Sequence, residues 1–202
     1  MKIENVFITG QKNDFDKRLA GIFIREGYNT YTADDNVPGN KMEFIDIYID
    51  VSDERDPADD FSIRDGLDED IIRRVYEANV LNSMKMLEEY LPLLDAGNAK
   101  RLCFLTAAEA SINETRETNG FAYKMSKAAM HNFFQMISNR LSPAGYTFRI
   151  FDPLHGDIDA KASAEGAFNY FTRRRGIEQD NPLRDDESRL VFRDALGREH
   201  TW

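Results

Sequence analysis

Tyr123-Lys124-Met125-Ser126-Lys127 sets a phenol and an ammonium four residues apart, and on a helix that spacing puts both on one face. A phenol titrates near ~10 and is a poor base at neutral pH, while a neighbouring ammonium stabilises its phenolate. The pair reads as a candidate general acid/base with its activator. The other chemistry-bearing residues are scattered. His131, His155 and His200 stand far apart, and no Cys or paired His sits at ligand spacing, so no metal site is expected. His155 falls on a loop expected to face a cleft and stays a candidate. Cys103, alone in an apolar run, makes no disulfide framework and suits a reducing cytoplasm. Arg173-Arg174-Arg175 reads as a solvated helix end.

The elements that must position these residues follow from apolar spacing. Residues 6–9 form an apolar run that ends at Gly10, and Phe15, Leu19, Ile22, Phe23 and Ile24 then recur at helical spacing. Residues 28–33 and 44–49 read as two further strands, joined by a turn-rich link over 34–40 that is too short for a crossover helix. An acidic, unpatterned stretch over 50–66 precedes a long amphipathic run over 68–94, whose Asp68 and Glu69 suit the positive end of a helix. A buried strand over 101–106, a helix over 122–141 and a strand over 146–151 come next. They are followed by a helix over 162–175, a charged loop over 176–188 and a last strand over 190–193 before a turn at Gly197. Strands alternating with helices predict an α/β fold with a parallel sheet, in one domain spanning 1–202, and ligands at the carboxyl ends of the strands.

Composition narrows the partners. A chain of 202 residues that is 42% hydrophobic can bury a core. Its 26 basic and 36 acidic residues leave a net charge of −10, which repels nucleic acid and anionic membranes and suits a small neutral or cationic partner. The first residues run straight into a strand without a long apolar stretch, so neither a secretion signal nor a membrane span is expected.

The Tyr-x-x-x-Lys pattern follows an apolar strand, continues as Ser126-Lys127-Ala128-Ala129 and leads to a strand ending in Asp152-Pro153. Thr9-Gly10 sits where a glycine-rich turn would begin, and Glu77-Ala78-Asn79-Val80 and Leu91-Pro92-Leu93-Leu94 punctuate the long helix. The tail 192–202 carries a strand and a Gly-containing turn. In these features the chain resembles the short-chain dehydrogenase/reductase family, in its small carbonyl-reductase-like branch, diverged and truncated. The resemblance implies a Rossmann-like doubly wound sheet with helices on both faces, and NAD or NADP as cofactor. It implies Tyr123 as acid/base, Lys127 as its activator and ribose ligand, and Asn79 in a proton relay. Thr9, Gly10, Lys12 and Asp34 (or Asp35) would face the cofactor.

The sequence also departs from the family. The slot of the catalytic Ser falls on Ala107; Thr106 is one residue off and points to the other face, and Ser111, four residues on, would need a reshaped loop. Removing a donor aimed at the reacting oxygen typically costs roughly 10²–10³ in rate. Two glycines of the phosphate turn are Asp14 and Asp16, whose carboxylates repel a diphosphate, though capping the helix is their simpler role. Twenty-nine residues separate Asp50 from Asn79, which makes 44–49 the strand just before that Asn. The family's third strand is then absent, leaving six. Ile158 replaces a Thr that would approach the cofactor. Two functions follow: an NAD(P)-dependent carbonyl or alcohol oxidoreductase, or a non-catalytic Rossmann-like module that binds another ligand or protein. Met84, Met86, Met130, Phe133, Phe134 and Met136 exceed what one sheet face needs, so part of them is expected to pair with a second subunit, in a homodimer or homotetramer.

Overall fold

All four residues of β1 (Asn5–Ile8) are buried, as in a strand covered on both faces. In this computed structural model, residues 5–10, 12–33, 42–61, 63–64, 66–154, 158–173, 186–187 and 189–202 are described. β1 pairs in parallel with β2 (Asn29–Thr32) on one side and β3 (Ile47–Asp50) on the other. β4 (Arg101–Leu105), β5 (Thr147–Asp152) and β6 (Phe192–Asp194) extend the sheet in parallel beyond β3. The order is β2-β1-β3-β4-β5-β6-β7, a mostly parallel α/β sheet of the Rossmann-like class.

β7 (Glu199–His200) raises the strand count from the expected six to seven and runs antiparallel to β6. The two-residue strand is too short to show an apolar pattern, and it forms because Gly197, at φ +79°, turns the chain back. β2 is the outermost strand on its side among the described residues.

Alternation along the strands builds two cores. Val6, Ile8, Ile47, Ile49, Cys103 and Leu105 face one side, where α1 (Asp14–Arg25) and α5 (Ala160–Thr172) pack with Phe15, Leu19, Phe23, Ala167 and Phe171. Phe7, Tyr48, Leu102, Phe104 and Ile150 face the other, against Leu87 and Leu94 of α3 (Asn82–Ala96) and Met130 and Phe134 of α4 (Phe121–Leu141). The long run over 68–94 is α2 (Glu69–Tyr76), a π-helical segment (Glu77–Leu81) and α3 in succession. π-segments widen a helix by one residue and recur at functional sites.

Arg173 departs from its expected solvated role. Arg173 donates to Asp186 at 2.6 Å, with its side chain about 23% exposed. Arg193 binds the same carboxylate through two nitrogens, and Arg101 and Arg149 share Glu187. Arg101 also donates to the carbonyls of Phe171 and Arg173, closing the carboxyl end of α5. Arg174 and Arg175 lie outside the described residues.

Candidate functional site

Helix α4 begins at Gly120, at φ +71°, with no side-chain cap of its own. The cap comes from Asp59, whose carboxylate accepts from Ala122 N at 3.1 Å and Tyr123 N at 2.9 Å. A buried carboxylate at the positive end of α4 therefore fixes the turn that carries Tyr123. Its source, the unpatterned 50–66 stretch, hid it from the sequence.

One turn along, Tyr123 and Lys127 do meet, and they meet on a third residue. The Tyr123 hydroxyl donates to Asp53 Oδ1 at 2.6 Å, and Lys127 Nζ lies 3.0 Å from the same oxygen. Lys127 also donates to the carbonyls of Ser52 and Leu105. The guanidinium of Arg55 stacks 3.7 Å from the centre of the Tyr123 ring and pairs with Glu109 at 2.6 Å. Burial, then the Asp53 charge, pushes the Tyr123 phenol well above its usual range. Asp53 Oδ1 thus meets both the phenol and the ammonium, and burial together with the Asp53 charge favours the protonated phenol.

Asn79 joins this set through the π-segment. Its Oδ1 accepts from Glu54 N at 2.7 Å, and its Nδ2 donates to Glu54 O at 2.9 Å and Ser126 Oγ at 3.0 Å. Ser126 Oγ in turn donates to Tyr123 O at 2.7 Å. Both ends of the Asn79 amide are spent on holding the 52–55 loop against α4.

At the start of α1 the N-cap residue is Asn13, and Asp16 takes part in the cap as expected, whereas Asp14 does not. Asn13 Oδ1 accepts from Asp16 N at 2.9 Å, and Asp16 Oδ2 accepts from Lys12 N at 3.0 Å and Asn13 N at 3.2 Å. This is a capping box with Asp in the third helical position. Asp16 is 1% exposed, and burial pushes its carboxyl up to about 6. Asp14 is exposed and pairs with Arg18 at 2.6 Å. Lys12, Asp16, Asp53, Glu54, Arg55 and Asn79 line a cleft of about 500 Å³, together with Phe15, Val51, Ala78 and Ala160.

Other expected site residues lie elsewhere. Thr9 Oγ1 accepts from Val51 N at 3.0 Å and donates to Asp50 at 3.5 Å, latching β1 to β3; Gly10 is buried beside it. Ser111 is fully buried and its hydroxyl accepts from Glu114 N at 3.3 Å, outside the Tyr123–Asp53–Lys127 set. Ala107, in the slot of the family Ser, is buried, and Thr106 Oγ1 lies 2.5 Å from His131 Nε2. Asp34, Asp35 and His155 lie outside the described residues. Sequence reasoning missed Asp53 and Asp59. Their only signal was an acidic cluster directly after a strand end.

Comparison with solved structures decides the fold. The carbonyl reductase of Pseudomonas aeruginosa in complex with NADP superposes with a TM-score of 0.72 at 13% identity, covering 99% of this chain and 100% of that one. The carbonyl reductase Sniffer of D. melanogaster gives 0.72 at 11% identity over 100% of both chains. This chain has the short-chain dehydrogenase/reductase fold. Among curated proteins, an uncharacterized oxidoreductase of Saccharomyces cerevisiae is 26% identical over 121 residues, 60% of this chain and 46% of that protein. C-signal of Myxococcus xanthus is 28% identical over 80 residues, 40% of this chain and 48% of that protein. The chain thus spans about half the length of the curated relatives it matches. No protein-family model matches. Among the described residues no helix of this dehydrogenase-like fold is long and apolar enough to cross a membrane, and no group of three or more His, Cys, Asp or Glu is arranged to hold a metal ion.

Proposed function

We propose that this protein is a diverged member of the short-chain dehydrogenase/reductase family, one domain over 1–202, that uses the ancestral cleft to bind a ligand rather than to transfer hydride from a dinucleotide. The carrying observation is Asp16. Its buried carboxylate takes the Lys12 and Asn13 amides at the positive end of α1, donors that a diphosphate would need. An ionised Asp16 also repels the diphosphate. The residues present do not fit NAD or NADP.

Asp53 supports the same reading, because it neutralises the ammonium of Lys127 and keeps Tyr123 protonated. Thr9 and Gly10 serve the sheet, and Ser111 serves its own turn. The cytoplasm suits the buried free thiol of Cys103. Exposed Met84 on α3 and Met125 and Met136 on α4 support a homodimer or homotetramer formed through these helices.

A second reading, NAD(P)-dependent oxidoreductase, is favoured by one observation: Tyr123, Ser126, Lys127 and Asn79 still form one connected site. In that reading Tyr123 is the acid, Lys127 and Asn79 support it, and Lys12 helps hold the cofactor. Titration with NADH and NADPH separates the two. The binding reading expects no saturation with either up to about millimolar concentration, a limit corresponding to roughly −4 kcal/mol. Micromolar binding of either dinucleotide overturns it.

A further inference from the structure

Asp16 carries an unmet demand. Its Oδ2 is satisfied by two amides, whereas its buried Oδ1 has no hydrogen-bond partner. An unpartnered oxygen on a buried carboxylate is costly unless a donor completes it. The residue lines the cleft of about 500 Å³ at the carboxyl ends of β1 and β3, where this fold class places ligands.

Half of the charged residues around that cleft are committed elsewhere, and the exposed Glu54 carboxylate adds a further negative charge to the lining. Asp14 pairs with Arg18, and Arg55 pairs with Glu109. Asp53 holds Lys127 and the Tyr123 hydroxyl through one of its oxygens. Asp16 has only neutral donors against its charge, the Lys12 and Asn13 amides and the Asn13 side chain. The Lys12 side chain, on the exposed rim, is the remaining cation in the lining. A metal ion is disfavoured, since the described residues offer no group of three such ligands. An organic cation meets each condition: its N–H groups are donors, its charge offsets Asp16, and Phe15, Val51, Ala78 and Ala160 cover an apolar body.

We propose that the α1–β3 cleft binds a small primary ammonium compound with an apolar body, its ammonium group completing Asp16. This rests on the reading that the cleft has left dinucleotide chemistry, and it names the ligand class of that site. The chain's net charge of −10 favours the approach of a cation.

The test is calorimetric titration of the full chain with benzylammonium chloride, with its neutral isostere benzyl alcohol, and with NADPH, at about pH 7.5 and fixed ionic strength, where Asp16 is ionised. The expected result is saturable binding of benzylammonium with one site per chain, at least tenfold tighter than benzyl alcohol. Asp16→Asn loses at least tenfold of that affinity, whereas Glu88→Gln, the same charge change on the exposed face of α3, leaves it unaltered. Equal binding of alcohol and ammonium, no saturation, or equal weakening by Glu88→Gln overturns the proposal. The isostere comparison needs no variant, so it stands even where Asp16→Asn fails to fold. NADPH binding overturns the functional reading on which the proposal rests; failure of benzylammonium without NADPH binding overturns the ammonium site alone.

Discussion

Asp16→Asn is expected to stabilise the protein in mild alkali and to weaken it slightly in acid. The Asp16 carboxyl, ordinarily titrating near 3.8, is pushed up to about 6, chiefly by burial, with the Asp53 charge adding to it and the Asn13 and Lys12 amides opposing. The folded chain therefore holds this proton more tightly than the unfolded chain. Its stabilising effect is complete below 3.8 and is lost as pH rises through about 6. A rise of about two pH units at about 1.36 kcal/mol each amounts to about 3 kcal/mol. With the residue 1% exposed, solvent screening reduces this little. Asn keeps a carbonyl oxygen for the Lys12 and Asn13 amides, so the weakened cap costs about 1 kcal/mol at every pH. The variant should then gain about 2 kcal/mol at about pH 8 and lose about 1 kcal/mol at about pH 4. For a chain of this size the change between the two pH values is roughly 6–12 °C in the Tm difference. Thermal melts of both proteins at the two pH values measure it. A difference that does not change with pH, or a wild type that gains on the variant as pH rises, refutes the reasoning.

His131 works in the opposite sense over nearly the same window: burial, then the Lys127 charge, pushes its imidazole down from 6.5 to about 4. Its contribution is present above 6.5 and lost as pH falls toward 4, so His131→Gln should flatten the acid limb of urea midpoints by about 3 kcal/mol. Lys127→Met leaves the Asp53 carboxylate without its ammonium and should cost about 3–5 kcal/mol in urea unfolding; a loss below about 1 kcal/mol contradicts the buried pair. Tyr123→Phe should remove no ionisation step below about pH 10 from the ultraviolet titration of the folded protein, since the phenol stays protonated there. Gly97→Ala brings a Cβ within 1.9 Å of the Ile45 carbonyl oxygen. It should lower stability by about 3 kcal/mol or more, read from the urea midpoint.

The strand and helix pattern was legible in the sequence because each element buries a regular apolar face. Residues 6–9, 101–106 and 146–151 could hardly be anything but covered strands, and 122–141 repeats its apolar side at helical spacing. The Tyr123–Lys127 pairing was legible for the same reason, since spacing along one helix fixes a shared face. Where 68–94 widens into a π-segment was not legible, because the apolar pattern continues through it and the anchor, Glu54, lies across a loop. The buried arginines escaped notice as well: alternation places Arg149 inside a strand, but its partners arrive from the carboxyl-terminal part of the chain.

By itself, then, the sequence determined the sheet, its layers and which side chains share a helix face, all of them consequences of local periodicity. Only the tertiary structure decided what Tyr123 and Lys127 face. Asp53 reaches them from a loop seventy residues away from Tyr123, and no local spacing encodes that contact. It also decided that Asp16 folds back onto the Lys12 and Asn13 amides instead of projecting into solvent. Both outcomes turn on where a carboxylate finds donors in three dimensions, and those two contacts set the charge of the cleft.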